Sequence, residues 1–177
     1  MSNASDLALQ ESQSRFQAFM DNSPTIAFMK DAEGRYIYLN KPFERAFNIT
    51  FAALQGKTDA QWLPAETAKP LQKNDQRVLA TGTPMELLEI IPGADGSPRC
   101  WLSFKFLFQD SAGRRYVGGM AIDITERRRS EEVLESKLKE LELVNRAMMG
   151  REERILELKE ELRALRAQRP ASAERTT

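Results

Sequence analysis

Not one histidine occurs among the 177 residues, and Cys100 is the single cysteine. The first absence removes the usual imidazole general base, the commonest metal and haem ligand, and the phosphoacceptor of a histidine kinase. The second leaves neither an intrachain disulfide nor a cysteine-cluster metal site, so Cys100 reads as a buried, inert thiol. Long apolar runs are missing too: no stretch approaches the roughly 20 residues that span a bilayer, and the N-terminus lacks the charged-then-apolar layout of a signal peptide. A cytoplasmic chain without a membrane span is expected. Net charge is absent as well, since 26 Lys and Arg balance 26 Asp and Glu. No overall field therefore draws the chain to nucleic acid or to an anionic membrane. Neither a Gly-rich phosphate loop nor a Gly-x-Ser-x-Gly elbow is found. No catalytic residue is nominated, and the expectation is a non-enzymatic protein without a metal.

What the chain does have is an abrupt change of character at Asp123-Ile124-Thr125-Glu126. Short strand-like runs and Gly/Pro turns give way there to an uninterrupted, charged helix former. Leu134, Leu141, Met148, Ile155 and Leu162 then recur at seven-residue intervals, with Val144, Leu158 and Leu165 supplying the second half of the seam in places. Such a stripe is buried either against its own copy in a second chain or by folding back on its own domain. The extent of polar surface around it favours a homodimer. Arg127-Arg128-Arg129, flanked by Glu126, Glu131 and Glu132, reads as a solvated helix start with intrahelical pairs. Gly150 lies inside the helix, where glycine costs about 1 kcal/mol relative to alanine.

The remaining chain is long enough for one globular domain. Residues 1–15 read as tag remnant and the start of a flanking helix, 16–125 as the domain, 126–168 as the dimerisation helix and 169–177 as a disordered tail. Ser5 to Asp21 forms an amphipathic helix with Phe16, Phe19 and Met20 near one face, ended by Asn22-Ser23-Pro24. Ile26 to Lys30 and Arg35 to Leu39 are strands joined by a hairpin at Asp31-Ala32-Glu33-Gly34. Asn40 caps a short helix with Pro42 in its first turn. Thr58 and Gln61 form a capping box for a second short helix containing Trp62 and Leu63. Pro64 starts a third helix, which stops at Gly82. Met85 to Ile91, Arg99 to Phe108 and Arg115 to Ile124 are three further strands. This order of two strands, three short helices and three strands fits an α+β domain: one antiparallel sheet of five strands, with helices enclosing a cavity on one face.

In order and spacing, Asn22-Ser23-Pro24, Asp31-x-x-Gly34-Arg35-Tyr36, Asn40, Gly56-Lys57-Thr58-Asp59, Val78-Leu79-Ala80-Thr81-Gly82, Gly113, Gly118-Gly119 and Asp123-Ile124-Thr125-Glu126-Arg127 resemble a PAS domain of the bacterial sensory-box type, over roughly Phe16 to Glu132. The closing Asp-Ile-Thr-Glu-Arg run is the most specific piece and resembles the family's hinge, where the last strand hands a conformational change to an output helix. Asn145 to Glu152 resembles a linker helix of sensor kinases, although no kinase, cyclase or DNA-binding module follows. The resemblance thus implies a signal-transduction module that stands alone or is cut from a longer histidine kinase or diguanylate cyclase, acting on a downstream output domain or regulatory protein. It also narrows the cofactor. Flavin-based light sensors of the family carry a cysteine where this chain has Asp59, and haem-binding members usually use a histidine. No cofactor is expected, which leaves a small anionic metabolite or a ligand-free dimerisation adaptor.

On the strand from Cys100 to Phe108, alternation alone assigns Cys100, Leu102, Phe104, Phe106 and Phe108 to the core beneath the helices. Matching Lys105 and Asp110 to the family pattern implies the opposite, with Trp101, Ser103 and Lys105 toward the cavity. The phenylalanine face is then covered by the N-terminal helix with Phe16, Phe19 and Met20, and a second subunit is a further cover. The cavity side of the neighbouring strand is Leu87, Glu89 and Ile91, and that of the last strand Val117, Gly119 and Ala121. A lysine on a buried face must be paired. Lys105 either makes an ion pair with Glu89, which hairpin pairing places diagonally across from it, or also contacts an anionic ligand. Phe28 and Trp62 are further ligand-site candidates that read equally as core. Asp123 and Thr125 mark the signal junction, with Thr125 as the helix cap.

Overall fold

Alternation of apolar and polar residues builds five strands, and the computed structural model, which describes residues 2–167, arranges them in one antiparallel sheet. A helix, α1 (Ser2–Asp21), precedes β1 (Ile26–Lys30) and β2 (Tyr36–Leu39). Then come α2 (Lys41–Phe47), α3 (Phe51–Leu54), a 3-10 turn (Asp59–Gln61) and α4 (Ala65–Thr81). The long hairpins β3 (Met85–Pro92), β4 (Pro98–Gln109) and β5 (Arg115–Asp123) follow, and α5 (Thr125–Ala167) ends the described chain. The strand order is β2-β1-β5-β4-β3, so the first and last strands are neighbours inside the sheet. The expected tail at 169–177 lies outside the described residues.

Two local expectations are revised. The stretch after Thr58 is a single 3-10 turn that ends before Trp62, although the Thr58 amide does donate to Gln61 Oε1 at 2.8 Å. Pro64 biases the residue before it away from helical geometry, leaving no room for a full helix between Thr58 and Pro64. The short α3, whose Thr50 hydroxyl accepts from the Ala53 amide, adds a helix that the sequence reading passed over.

Packing is organised around Asn40, which is fully buried. Its Oδ1 accepts from the amides of Ala27 (2.9 Å) and Phe43 (3.1 Å), capping α2. Its Nδ2 donates to the carbonyls of Met20 and Thr25, both at 2.9 Å. One side chain thus fastens α1, β1 and α2 together with every hydrogen-bonding site satisfied. On the inner face, Phe28, Tyr36, Phe43, Phe47, Trp62 and Trp101 form a continuous aromatic core, with ring centroids 4.7–6.3 Å apart in the pairs that touch.

Consecutive glycines on β5 let aromatic rings lie against the sheet from both sides. A Cβ on Gly119 would fall 2.1 Å from the Phe28 ring on the inner face, and one on Gly118 would fall 2.6 Å from the Phe106 ring on the outer face. Phe28 is hemmed in by Tyr36 and Phe43, whereas Phe106 is 38% exposed and free to swing out. Gly119→Ala is therefore expected to destabilise the domain by about 1–3 kcal/mol through overpacking. Gly118→Ala should cost less, and Phe28→Leu should offset much of the Gly119→Ala loss. Urea unfolding of the three single variants and the double variant measures the coupling.

The chain falls into two compact units that meet at Glu126 and Arg127. Taken by itself, the described part of the second unit, to Ala167, is helix, with Arg127–Glu131 at 2.8 Å, Arg128–Glu132 at 3.9 Å and Lys139–Glu135 at 2.6 Å along its surface. Leu134, Leu141, Met148, Ile155 and Leu162 are all exposed there.

Candidate functional site

Lysine at an inward position of a strand cannot stay unpaired, and two of them meet this requirement together. Lys30 from β1 and Lys105 from β4 are 1% and 2% exposed. Both reach Asp75 on α4: Lys30 Nζ lies 2.7 Å from Oδ2 and Lys105 Nζ 2.8 Å from Oδ1. Lys30 also binds Asp59 Oδ2 at 2.6 Å, and Lys105 binds Glu89 Oε1 at 2.9 Å. Further donors complete the carboxylates, with the Tyr36 hydroxyl 2.6 Å from Asp59 Oδ1 and Asn74 Nδ2 3.1 Å from Glu89 Oε1. The Lys30 ammonium also sits over the Phe28 and Tyr36 rings, at 5.1 and 4.7 Å from their centroids. Two ammonium groups thus face three carboxylates in the interior.

Burial acts against every charge here and is outweighed where opposite charges are close. It pushes the Asp75 carboxyl up, but the Lys30 and Lys105 ammonium groups hold it below its usual value. It pushes Lys105 down, and Asp75 and Glu89 more than reverse that. For Tyr36, burial and then the Asp59 charge act in the same direction and raise the hydroxyl well above its usual value.

The cavity that these groups line measures about 20 Å³. That is room for about one water, far short of the roughly 300–1,000 Å³ of a small-molecule pocket. Asp59, where flavin-based light sensors of the family carry a cysteine, is committed here to Lys30 and Tyr36. A separate polar hollow of about 180 Å³ between the β1–β2 turn and α4 reaches Asp75 from the solvent side. Among the described residues no group of three or more His, Cys, Asp or Glu side chains is arranged to hold a metal ion.

Trp101, Ser103 and Lys105 are all buried, as are Glu89, Val117 and Ala121, so these candidates share the inner face with Gly119. Phe28 and Trp62 pack against the core cluster. The alternation-only reading of β4 is corrected, because Phe104 and Phe106 lie on the outer face and are more than a third exposed. The register between Glu89 and Lys105 is corrected as well. Glu89 pairs with Trp101 and Lys105 with Met85, so the two are not diagonal neighbours, and the length of both side chains closes the gap. Lys30, Asp59 and Asp75 were missed as members of this site. Two signals were available: Lys30 shares the parity of Ile26 and Phe28, and Asp75 falls on the buried stripe Ala68, Leu71, Asp75, Val78 of α4.

At the end of β5, Asp123 Oδ1 accepts from the Thr125 amide (2.9 Å) and the Thr125 hydroxyl (2.5 Å), while Oδ2 meets Arg99 at 3.2 Å. The Thr125 hydroxyl in turn accepts from the Cys100 amide at 2.8 Å. Asp123, rather than Thr125, therefore takes the helix-start amide, and Thr125 links that start to β4. Burial pushes the Asp123 carboxyl up, and its bonds to Thr125 and Arg99 outweigh this and leave it below its usual value.

A family model described as PAS fold matches residues 20–129, and the chain belongs to that family. Among curated proteins it is similar to the methanogenesis regulatory histidine kinase FilI of Methanothrix harundinacea, 29% identical over 119 residues, which are 67% of this chain and 13% of that one. It is also similar to protein y4lL of Sinorhizobium fredii, 27% identical over 124 residues, 68% of this chain and 15% of the other. The chain thus spans 13% to 15% of the length of these relatives. Among solved structures, VqmA of Vibrio cholerae in complex with ligand and DNA superposes with a TM-score of 0.57 at 25% identity, over 66% of this chain and 51% of that one. The PAS domain of an HTR-like protein from Haloarcula marismortui gives 0.59 at 19% identity, over 69% and 99%. That of Bordetella pertussis BvgS gives 0.55 at 23%, over 73% and 98%. No helix among the described residues is long and apolar enough to cross a membrane.

The buried network yields a pH-dependent prediction. With its pKa lowered, Asp75 contributes stability that is present above the ordinary aspartate range and lost as pH falls through the lowered value. With its pKa raised, Lys105 contributes stability that is fully present below the ordinary lysine value and lost as pH rises through the raised one. Melting temperature should therefore form a plateau across neutral pH and fall at both ends. Asp75→Asn should lower the plateau and flatten the acid limb. Lys105→Met, which leaves Glu89 without a cation and Asp75 with Lys30 alone, should cost about 3–5 kcal/mol at neutral pH by denaturant unfolding.

Proposed function

We propose that the chain is a cytoplasmic PAS signalling module, non-enzymatic in itself, which dimerises through α5 and alters that helix when the domain meets a cue. The observation that carries the reading is the apolar seam of α5: Leu141 is 64% exposed and Leu134 59%, at the seven-residue spacing of a coiled coil. Exposed apolar residues at that spacing require a partner, and a second copy supplies a matching seam. The junction of Asp123, Thr125, Cys100 and Arg99 supports transmission, since it ties the start of α5 to two strands of the sheet.

The filled interior favours a cue other than a small anion at Lys105. Both of its carboxylate partners are already in place, and the space beside them is about 20 Å³. A ligand-free core that relays a partner's docking, or a ligand bound elsewhere on the domain, agrees better with this geometry. The same module serves as the sensory part of a longer regulator in a second reading, favoured by the likeness to the histidine kinase FilI. The VqmA complex contains DNA. Our reading assigns no nucleic-acid partner to this chain, because its charges balance.

Lysine at both Leu141 and Ile155 would place charges in the seam, where they repel across a parallel dimer. Sedimentation equilibrium is expected to show a dimer for the parent and a monomer for the double variant, with the PAS domain still folded by circular dichroism. A double variant that remains dimeric would move the interface to the outer face of the sheet.

A further inference from the structure

The outer face of the sheet carries a second, larger hollow, across the sheet from the charged network. It measures about 320 Å³ and lies between α1 and the sheet, with Phe16 and Met20 on one side and Met29, Met120, Phe106 and Phe108 on the other. That volume reaches the range of small-molecule pockets, roughly 300–1,000 Å³. None of the lining residues is charged. The one polar side chain among them is Tyr38, whose hydroxyl is buried and has no hydrogen-bond partner within the described residues. Burial, and then the Asp21 charge, raise the Tyr38 pKa, so the hydroxyl stays protonated and able to donate. The chain does not fill this space with its own side chains: Phe16 remains 44% exposed, and Phe19, one turn on, is 75% exposed.

We propose that the hollow is a binding site for a neutral, apolar or aromatic small molecule carrying one hydrogen-bonding group, held between α1 and the outer face of the sheet with Tyr38 as its polar contact. An ion would lose its hydration against walls that offer no opposite charge. A neutral ring would bury Phe16 and Phe106 and pack among three methionines, whose flexible thioethers adapt to its outline. A second copy of the chain is the poorer occupant. Leu88, Ile90, Phe104 and Ile122 offer it exposed apolar surface on the same face without its reaching beneath α1. Occupancy would hold α1 against the sheet along its length, in addition to the end anchored by Asn40 to the Met20 carbonyl and by Asp21 to the Lys41 amide. The test of this site has its own readout, distinct from the sedimentation test of dimerisation through α5.

The seven methionines provide the readout, because Met20, Met29 and Met120 line the hollow and Met85, Met148 and Met149 do not. Carbon-13 methyl spectra of methionine-labelled full chain, assigned by single Met→Leu substitutions, are titrated with 1-naphthol and, separately, with naphthalene-1-sulfonate. 1-Naphthol should shift the three site methyls saturably and leave the others in place, while the sulfonate should bind at least tenfold more weakly. Tyr38→Phe should weaken 1-naphthol about 2- to 10-fold, the usual range for one hydrogen bond. Met29→Trp should abolish the shifts by filling the hollow. Gly118→Ala, whose Cβ displaces the Phe106 ring from the wall of the hollow, should weaken them and serves if the tryptophan variant does not fold. Absence of saturation, equal shifts at Met148 and Met149, or unchanged binding in both filling variants would overturn the proposal. So would shifts of the site methyls that follow protein concentration and resist 1-naphthol, since a second copy would then be the occupant.

Discussion

A single carboxylate on α4 holds the helical layer to the sheet. Asp75 gives one oxygen to Lys30 on β1 and the other to Lys105 on β4, strands that lie on either side of β5. Neither lysine is satisfied by a neighbour on its own strand, so the two cations accept the fold only when α4 is seated at one height and one rotation. The remaining members extend the same constraint. Asp59 fixes the 3-10 turn through Lys30 and Tyr36, and Tyr36 carries it into the aromatic core. Burying five charges is costly, and hydrophobic residues of equal volume would serve stability at least as well. What the arrangement secures is a particular seating of helices on strands, with the interior occupied by the protein's own groups.

This occupation divides the labour between the two faces of the sheet. The inner face is closed by charge pairs and rings, while the outer face has exposed phenylalanines and a hollow beneath α1. Gly118 and Gly119 set the division at the middle of β5, one letting a ring approach from each side. The same strand ends in the Asp123–Thr125 junction, whose hydrogen bonds run to Cys100 and Arg99 on β4. Through β5 and its ladder with β4, both faces of the sheet are joined by hydrogen bonds to the start of α5.

The strands were legible in the sequence because their signals are local. Alternating residues, Asp-initiated turns and the Asn40 cap each act within a few positions, and the observed strand boundaries differ from the expected ones by at most one residue. The inward side of β4 was legible only through family likeness, since simple alternation chose the phenylalanine face. The charged network was half legible. Lys105 and Glu89 belong to one hairpin and could be paired on paper, whereas Asp75 lies 45 residues from Lys30 and 30 from Lys105. Nothing local tells an aspartate on an apolar helical stripe which lysine it will meet. The outer hollow depends on how α1 lies against the sheet, a packing relation that no spacing of residues encodes.

Ile26, at the start of β1, pairs with Ala121, near the end of β5. The chain therefore comes into the sheet and goes out of it at the same end, on adjacent strands about 4.8 Å apart. Such a domain can be spliced into a longer polypeptide, or cut from it, with little displacement of the flanking segments. Threading of this kind suits a part that recurs in otherwise unrelated regulators, because the joints need no redesign when the neighbours change.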